Sequence, residues 1–306
     1  MTIKQAQSKY CATLKKRGVV SAFFDVDVLI SFVLKKPNEF IFSHPEASLT
    51  PTQTRKLTKL VGLRARHMPI AYLTGIREFF GYDFVVSRSA LIPRPETEML
   101  VEEALTIIGA APERPWRVID VGTGSGAIIV ALTRKILESG WPIKKYSLSA
   151  TEYSAAALNL ARSNALNLAH SNASHLSHTN TPHPSVAKYI KFSKADLLSG
   201  VLGKFDIVIA NLPYLSLEEY VESPYLDILR WEPKMALTDG ADGLKHFRNF
   251  IKQCPDRVNP HATILFEIGS EQAFAIRKLI KTTFPKADIG VKKDLCGFNR
   301  VIRSQI

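Results

Sequence analysis

Two short stretches of the chain hold side chains whose types and spacing could do chemistry. In Asp120-Val121-Gly122-Thr123-Gly124-Ser125-Gly126 an acid precedes three glycines at alternate positions. Glycine lets a backbone turn tightly and approach a ligand that a Cβ would hold off. A helix opening behind such a loop presents free N–H groups to an anionic group. The second stretch, IVIANLPY (207–214), begins as a run of apolar β-formers and ends in an amide, a proline and a tyrosine. Packing alone does not ask for that ending. A planar NH2 is a poor nucleophile, because its lone pair is delocalised, and a site that modifies it has to hold its N–H groups in acceptors. Asn211 offers a side-chain oxygen and Leu212 a backbone one. Pro213 keeps Leu212 extended and so aims that carbonyl. Tyr214 offers a flat face for stacking, and fixed dipoles of this kind stabilise charge growing on the nitrogen.

The glycine loop implies a nucleoside cofactor. Glu152, ending the next strand, is placed to accept from both hydroxyls of a ribose, and Asp196, ending the third, to take the exocyclic amine of adenine. A dinucleotide site makes similar demands, and Gly122, Gly124 and Ala127 satisfy its G-x-G-x-x-G/A fingerprint. Asp120 directly before the glycines, the third glycine at 126 and the Asn211–Tyr214 ending favour S-adenosylmethionine instead. The cofactor set is therefore Asp120, Gly122, Thr123, Gly124, Ser125, Gly126, Glu152 and Asp196, with Asn211 shared between cofactor and acceptor. No metal is expected.

The elements that must position these residues follow from periodicity. RVIDVG (117–122), SLSATE (147–152), YIKFSKAD (189–196), FDIVIAN (205–211) and ATILFEIG (262–269) read as strands, mostly separated by helical stretches. ADIGVKKDLCGFNRVIRS adds an antiparallel edge hairpin. The fold class expected is α/β, a doubly wound, mostly parallel seven-stranded sheet. Residues 1–75 read as a helical domain, with Thr50-Pro51 as an N-cap and first helical position. Residues 76–93 alternate like a β-hairpin linker, and 94–306 form the cofactor-binding domain. The Asn, Ser and His-rich run 164–185 reads as a long loop, within an insertion spanning 164–188.

The bulk numbers exclude other classes. With 46% apolar and 22% charged residues the chain is globular. No apolar run is long enough for a membrane span, and the first residues lack a secretory signal. Three scattered cysteines argue for reduced thiols and a cytoplasmic protein. A formal charge of +12 suits an anionic partner, which leaves direct nucleic-acid binding open.

Lesser candidates carry bland alternatives. Arg94 could reach the cofactor or the substrate, or anchor the domain junction through Glu96 or Glu98. Glu232 could orient the active-site loop, but a turn residue is the simpler expectation. Asp239 and Asp242 among glycines match no EF-hand spacing and read as a turn. Cys296 reads as a small turn residue. His170, His175, His178 and His183 fit no metal template and read as solvated loop, and Asn172 matches a glycosylation acceptor that a cytoplasmic chain does not use.

PIAYLTGIREFFG (69–81), LIPRPETEMLVEEAL (91–105), VIDVGTGSGAI (118–128), the Asn211–Tyr214 ending and EPKMALTDGADGL (232–244) together resemble the HemK-type protein-(glutamine-N5) methyltransferases, class I S-adenosylmethionine-dependent enzymes that modify peptide chain release factors. The resemblance runs from about residue 60 to the end. It implies a helical N-terminal domain that helps recognise the protein substrate, and an acceptor glutamine in a Gly-Gly-Gln loop of the release factor. It places Gly122, Gly124, Gly126, Glu152 and Leu197 at cofactor positions and Asn211, Leu212, Pro213 and Tyr214 around the glutamine. The family's usual Asn-Pro-Pro-Tyr is here Asn-Leu-Pro-Tyr, the form of ribosomal RNA adenine-N6 dimethyltransferases. Those enzymes put the helical domain last, whereas here it comes first. A ribosomal protein glutamine and an RNA adenine remain the alternative acceptors, and ribosome association the wider partner expectation.

Overall fold

The computed structural model describes residues 1–167 and 185–306. The chain divides into two compact units. The first is Met1–Ile76 together with Pro224–Trp231. It carries α1 (Ile3–Lys15), α2 (Ala22–Leu34), α3 (Asn38–Ser43), α4 (Pro51–Arg64) and α5 (Ile70–Thr74). Their apolar stripes bury Ile3, Leu14, Leu29, Ile30 and Leu57 in one core. α4 starts where the sequence says it should. Thr50 caps it in a reciprocal bond with Gln53, and Pro51 fills the first turn, where its missing N–H costs nothing. Asp25 is buried and paired with Arg64 at 2.7 Å. Trp231 joins the unit by donating Nε1–H to Arg66 O at 3.0 Å.

The second unit is Arg77–Ser223 with Glu232–Ile306. β1 (Ile76–Phe79) and β2 (Tyr82–Val85) pair as a two-stranded sheet. After α6 (Glu98–Gly109) the chain alternates: β3 (Arg117–Val121), α7 (Ala127–Glu138), β4 (Ser147–Glu152), α8 (Ala155–Asn167), β5 (Ile190–Lys194) and β6 (Phe205–Ala210). The short α9 (Leu217–Val221) and α10 (Leu226–Leu229, in the segment counted with the helical unit) precede α11 (Lys245–Gln253), β7 (Val258–Glu267) and α12 (Ala273–Thr283). β8 (Asp288–Lys293) and β9 (Asn299–Gln305) close the chain as the antiparallel edge. The seven-stranded sheet runs β5-β4-β3-β6-β7-β9-β8, with only β9 antiparallel to β7 and β8.

Period-two alternation explains why both faces are covered. Ile207 and Ile209 of β6 point into a core with Leu100 of α6 and Ile129 of α7. Val208 and Ala210 point the other way, into a core with Phe247 and Phe250 of α11 and Ile280 of α12. Each large side chain so buried contributes about 1.5–3 kcal/mol. The strand order reverses between β3 and β6, and in such sheets ligands bind beyond the carboxyl ends at that point. Register makes the juxtaposition concrete. Val121 pairs with Ala210, and Ala210 with Phe266, so Gly122, Asn211 and Glu267 leave the sheet side by side.

Three expectations need correction. β7 begins at Val258, four residues early, and meets β6 with a register shift near Phe205. Residues 86–93 form no strand, because the Ile92 N–H bonds the Glu232 carboxylate instead of a neighbouring strand. Positions 164–167 are helix, not loop. Asn164 is buried there, accepting from Val85 N at 2.9 Å and donating to Val85 O and Ser125 O. His170, His175, His178, His183 and Asn172 lie outside the described residues. Among the described residues no helix is long and apolar enough to cross a membrane. Cys11, Cys254 and Cys296 are free thiols.

Candidate active site

Gly122, Gly124 and Gly126 take φ of +73°, +56° and +83°, a region closed to most side chains. A Cβ on Gly126 would lie 3.1 Å from Ala161 Cα, so the loop packs tightly on α8. A Cβ on Gly124 would meet nothing nearer than 3.9 Å, and Gly124 lines a cavity of about 680 Å3. That open cradle, inside the usual range of small-molecule sites, fits a nucleoside cofactor. Gly122 and Thr123 donate backbone N–H groups to Thr151 O, and Thr123 Oγ1 donates to Asp120 Oδ2 at 2.6 Å. Glu152 lines the cavity with its carboxylate already aimed: Oε2 accepts from Gly124 N at 2.9 Å and Oε1 from Ser154 N at 2.8 Å. Each oxygen keeps a lone pair for a further donor. Asp196 and Leu197 lie on the same wall. Leu197 sits at φ +55°, an uncommon conformation for a branched side chain.

At the tip of β6 the Asn211 amide nitrogen donates to Glu267 Oε2 at 2.9 Å and Thr97 Oγ1 at 3.1 Å. Thr97 Oγ1 donates in turn to Glu267 Oε2 at 2.5 Å. The amide nitrogen is thereby turned towards Glu267 and Thr97, and Asn211 lines the cavity. Leu212 is buried with its side chain against Gly122, which couples the two stretches picked out from the sequence. Pro213 also lines the cavity.

A third stretch frames the opening. The Glu232 carboxylate, wholly buried, accepts from Ile92 N at 3.1 Å and pairs with Arg94 at 2.5 Å. It pins residues 89–94 and 233–240 around the same cavity. Glu232 is thus an orienting residue rather than a plain turn residue, and Arg94 pairs with it rather than with Glu96 or Glu98. Asp239 accepts from Ala241 N and Lys245 N, and Asp242 grips Arg248 with both oxygens, so both acids hold the turn. The Arg248 guanidinium holds the Asp242 carboxyl down at about 2. Among the described residues no group of three or more His, Cys, Asp or Glu side chains could hold a metal ion.

Known proteins are similar in sequence to this chain along its whole length. A family described as "PrmC N-terminal domain" matches residues 5–75, and "N-6 DNA Methylase" matches 92–278. The "Release factor glutamine methyltransferase" of Clostridium botulinum is 30% identical, covering 100% of this chain and 99% of that protein. The chain belongs to the release factor glutamine methyltransferase family. The Bacillus subtilis protein of the same name is 35% identical over 79% of this chain and 77% of its own length. Among solved structures, the hMettl16 catalytic domain in complex with a MAT2A 3′UTR hairpin aligns with a TM-score of 0.53 over 90% of both chains at 15% identity, which shows the shared fold.

For a release factor glutamine methyltransferase the site departs from the sequence reading in three places. Asp120, Gly126 and Tyr214 do not line the cavity. Asp120 is fully buried beneath the glycine loop, where it accepts from Thr123. Tyr214 packs on the α11–α12 core, so its ring is not a stacking face in this cavity. Burial, with the nearby Glu267 charge, pushes its phenol up to about 12. Thr97 and Glu267 were missed. The only signal was an acid closing the buried strand ATILFEIG, and nothing in the sequence says that Asn211 would be its neighbour.

Burial pushes the carboxyls of Asp120 and Glu267 up to about 7. Between the ordinary carboxylate range and that value the folded state keeps protons that the unfolded chain has released. Stability therefore falls as pH rises through this window, by roughly 3–4 kcal/mol per group. Asp120→Asn is expected to flatten its share. Urea unfolding at pH 5 and pH 8 reads this out as a variant that gains on the wild type at the higher pH; an unchanged difference between the two pH values would contradict it.

Proposed function

We propose that the chain methylates the side-chain amide nitrogen of a glutamine, the one in the Gly-Gly-Gln loop of a peptide chain release factor, in the cytoplasm and as part of translation termination. The observation that carries this reading is the Asn211 amide, held nitrogen-inward by Glu267 and Thr97 at the cavity wall. An acceptor oxygen so fixed suits a donor NH2, and Leu212 O supplies the second acceptor. Glu152 and Asp196 would hold the ribose and adenine of S-adenosylmethionine, with Gly122, Thr123, Gly124, Ser125 and Leu197 lining its bed. When bound, that cofactor supplies an electrophilic methyl group on a sulfonium. The chain's own residues orient the nitrogen, hold its hydrogens and stabilise the positive charge that grows on it. Asp120 and Gly126 act one step back, shaping the loop, and Tyr214 braces the tip. Residues 1–75 serve as the domain that recognises the protein substrate.

The test is incubation with labelled methyl donor and one of three acceptors: release factor, its Gln→Ala loop variant, or ribosomal RNA. Label on release factor and none on the Gln→Ala variant is expected. The match to "N-6 DNA Methylase" makes an adenine the rival acceptor, and label on RNA alone would replace the glutamine reading with it.

A further inference from the structure

We propose that Glu267 is the positioning residue of the reaction: its ionised carboxylate fixes which way the Asn211 amide points and strengthens Asn211 Oδ1 as an acceptor. This rests on the proposed role of Asn211 and extends it. Glu267 closes β7 one residue beyond the Phe266–Ala210 pair, which puts it beside Asn211 without touching the cavity. A carboxylate only accepts hydrogen bonds, so it admits the Asn211 nitrogen and rejects its oxygen. Thr97 completes the selection by donating its only hydrogen to Glu267 Oε2 and accepting from Asn211 Nδ2. Had the pocket behind Asn211 been apolar or hydroxylic, either face of the amide would satisfy it, and the cavity would see a donor as often as an acceptor. A negative charge behind Nδ2 also polarises the amide towards Oδ1, which is the atom that must hold a substrate N–H as positive charge develops.

The groups facing Glu267 set when that charge is present. Arg300 and Arg94 favour ionisation, the first paired with Asp294 and the second with Glu232. Glu96 and complete burial oppose it, and Tyr214 faces it as a neutral phenol. Burial dominates and places the titration at about 7. The rate of methyl transfer should therefore climb with pH through neutrality, because the ionised form is the competent one. Asp120 also titrates late, but it lies under the glycine loop, so its ionisation would register in donor affinity rather than in turnover.

The experiment compares wild type with Glu267→Gln, Thr97→Val and Thr97→Ser over pH 5.5–9, reading kcat, both KM values and the Asn211 side-chain amide signal by 15N NMR. Glu267→Gln is expected to lower kcat roughly 10- to 100-fold, the scale of a lost charged hydrogen bond. Both KM values should stay within about threefold. Its rise in rate through neutrality should vanish. The NMR signal should shift through pH 7 in wild type and stay flat in the variant. Thr97→Val should act in the same direction and Thr97→Ser restore activity. A residue with only a structural role would lower stability and leave the pH profile in place. The proposal is overturned by a Glu267→Gln enzyme that keeps the wild-type limb, or by an Asn211 signal indifferent to pH in wild type. The NMR arm needs no substrate, so a wild type that leaves release factor unlabelled sinks the acceptor assignment and not this one.

Discussion

Asn211→Ala is expected to lower methyl transfer by roughly 100- to 1,000-fold, the cost of removing one preorganised polar group from a transition state, while the cofactor Kd changes by less than about threefold. The split follows from geometry. The cofactor bed is carried by β3, β4 and the residues after β5, through Gly124, Glu152 and Asp196. Asn211 leaves β6 beside Gly122, but its amide nitrogen is turned onto Glu267 and Thr97. Truncation leaves the Thr97–Glu267 bond in place and Leu212 packed on Gly122, so the wall between the two halves survives. Calorimetric titration with the methyl donor, beside a single-turnover rate, separates the two quantities. Loss of both together would mean that Asn211 belongs to the cofactor bed.

The second large effect concerns a residue that does no chemistry. Gly243 sits at φ +76°, and a Cβ there would lie 2.5 Å from Tyr214 O and 2.9 Å from Gln272 Nε2. Neither neighbour can yield freely. Gln272 Nε2 donates to Tyr214 O at 2.8 Å and Gly243 O at 3.2 Å, while its Oε1 accepts from Gly269 N at 3.0 Å. One side chain thus ties together the loops after β6, before α11 and after β7. Gly243→Ala must push the Asn211–Tyr214 tip aside. A displacement near 1 Å is enough to cost about 100-fold in rate, and the overpacking itself about 1–3 kcal/mol of stability. Turnover and urea midpoint, measured on the same preparation, check both. A variant with wild-type turnover would show that the tip is not held from behind in this way.

How much of this was legible beforehand depended on how local the signal was. Thr50-Pro51, the glycine loop and the strand 147–152 are set by neighbours in sequence, and each appears where its residues said. The mostly parallel sheet, with its antiparallel edge hairpin, followed from strand–helix alternation, but its strand order did not. What sequence could not give was partnership across distance. Glu232 meets Ile92 and Arg94 some 140 residues earlier, and Thr97 meets Glu267 at a separation of 170. Nothing local marks a buried carboxylate as an orienting group rather than a turn residue. The inward turn of Tyr214 was hidden for a like reason: an aromatic after proline is equally at home in a cavity or in a core, and only the α11–α12 packing decides.

The most direct measurement is a crystal structure of the protein with S-adenosylhomocysteine and a glutamine-bearing loop of release factor. The acceptor nitrogen should lie within hydrogen-bonding distance of Asn211 Oδ1 and Leu212 O, in line with the cofactor sulfur, and Asn211 Nδ2 should remain on Glu267. An acceptor held elsewhere, or an Asn211 amide turned with its nitrogen into the cavity, would contradict it.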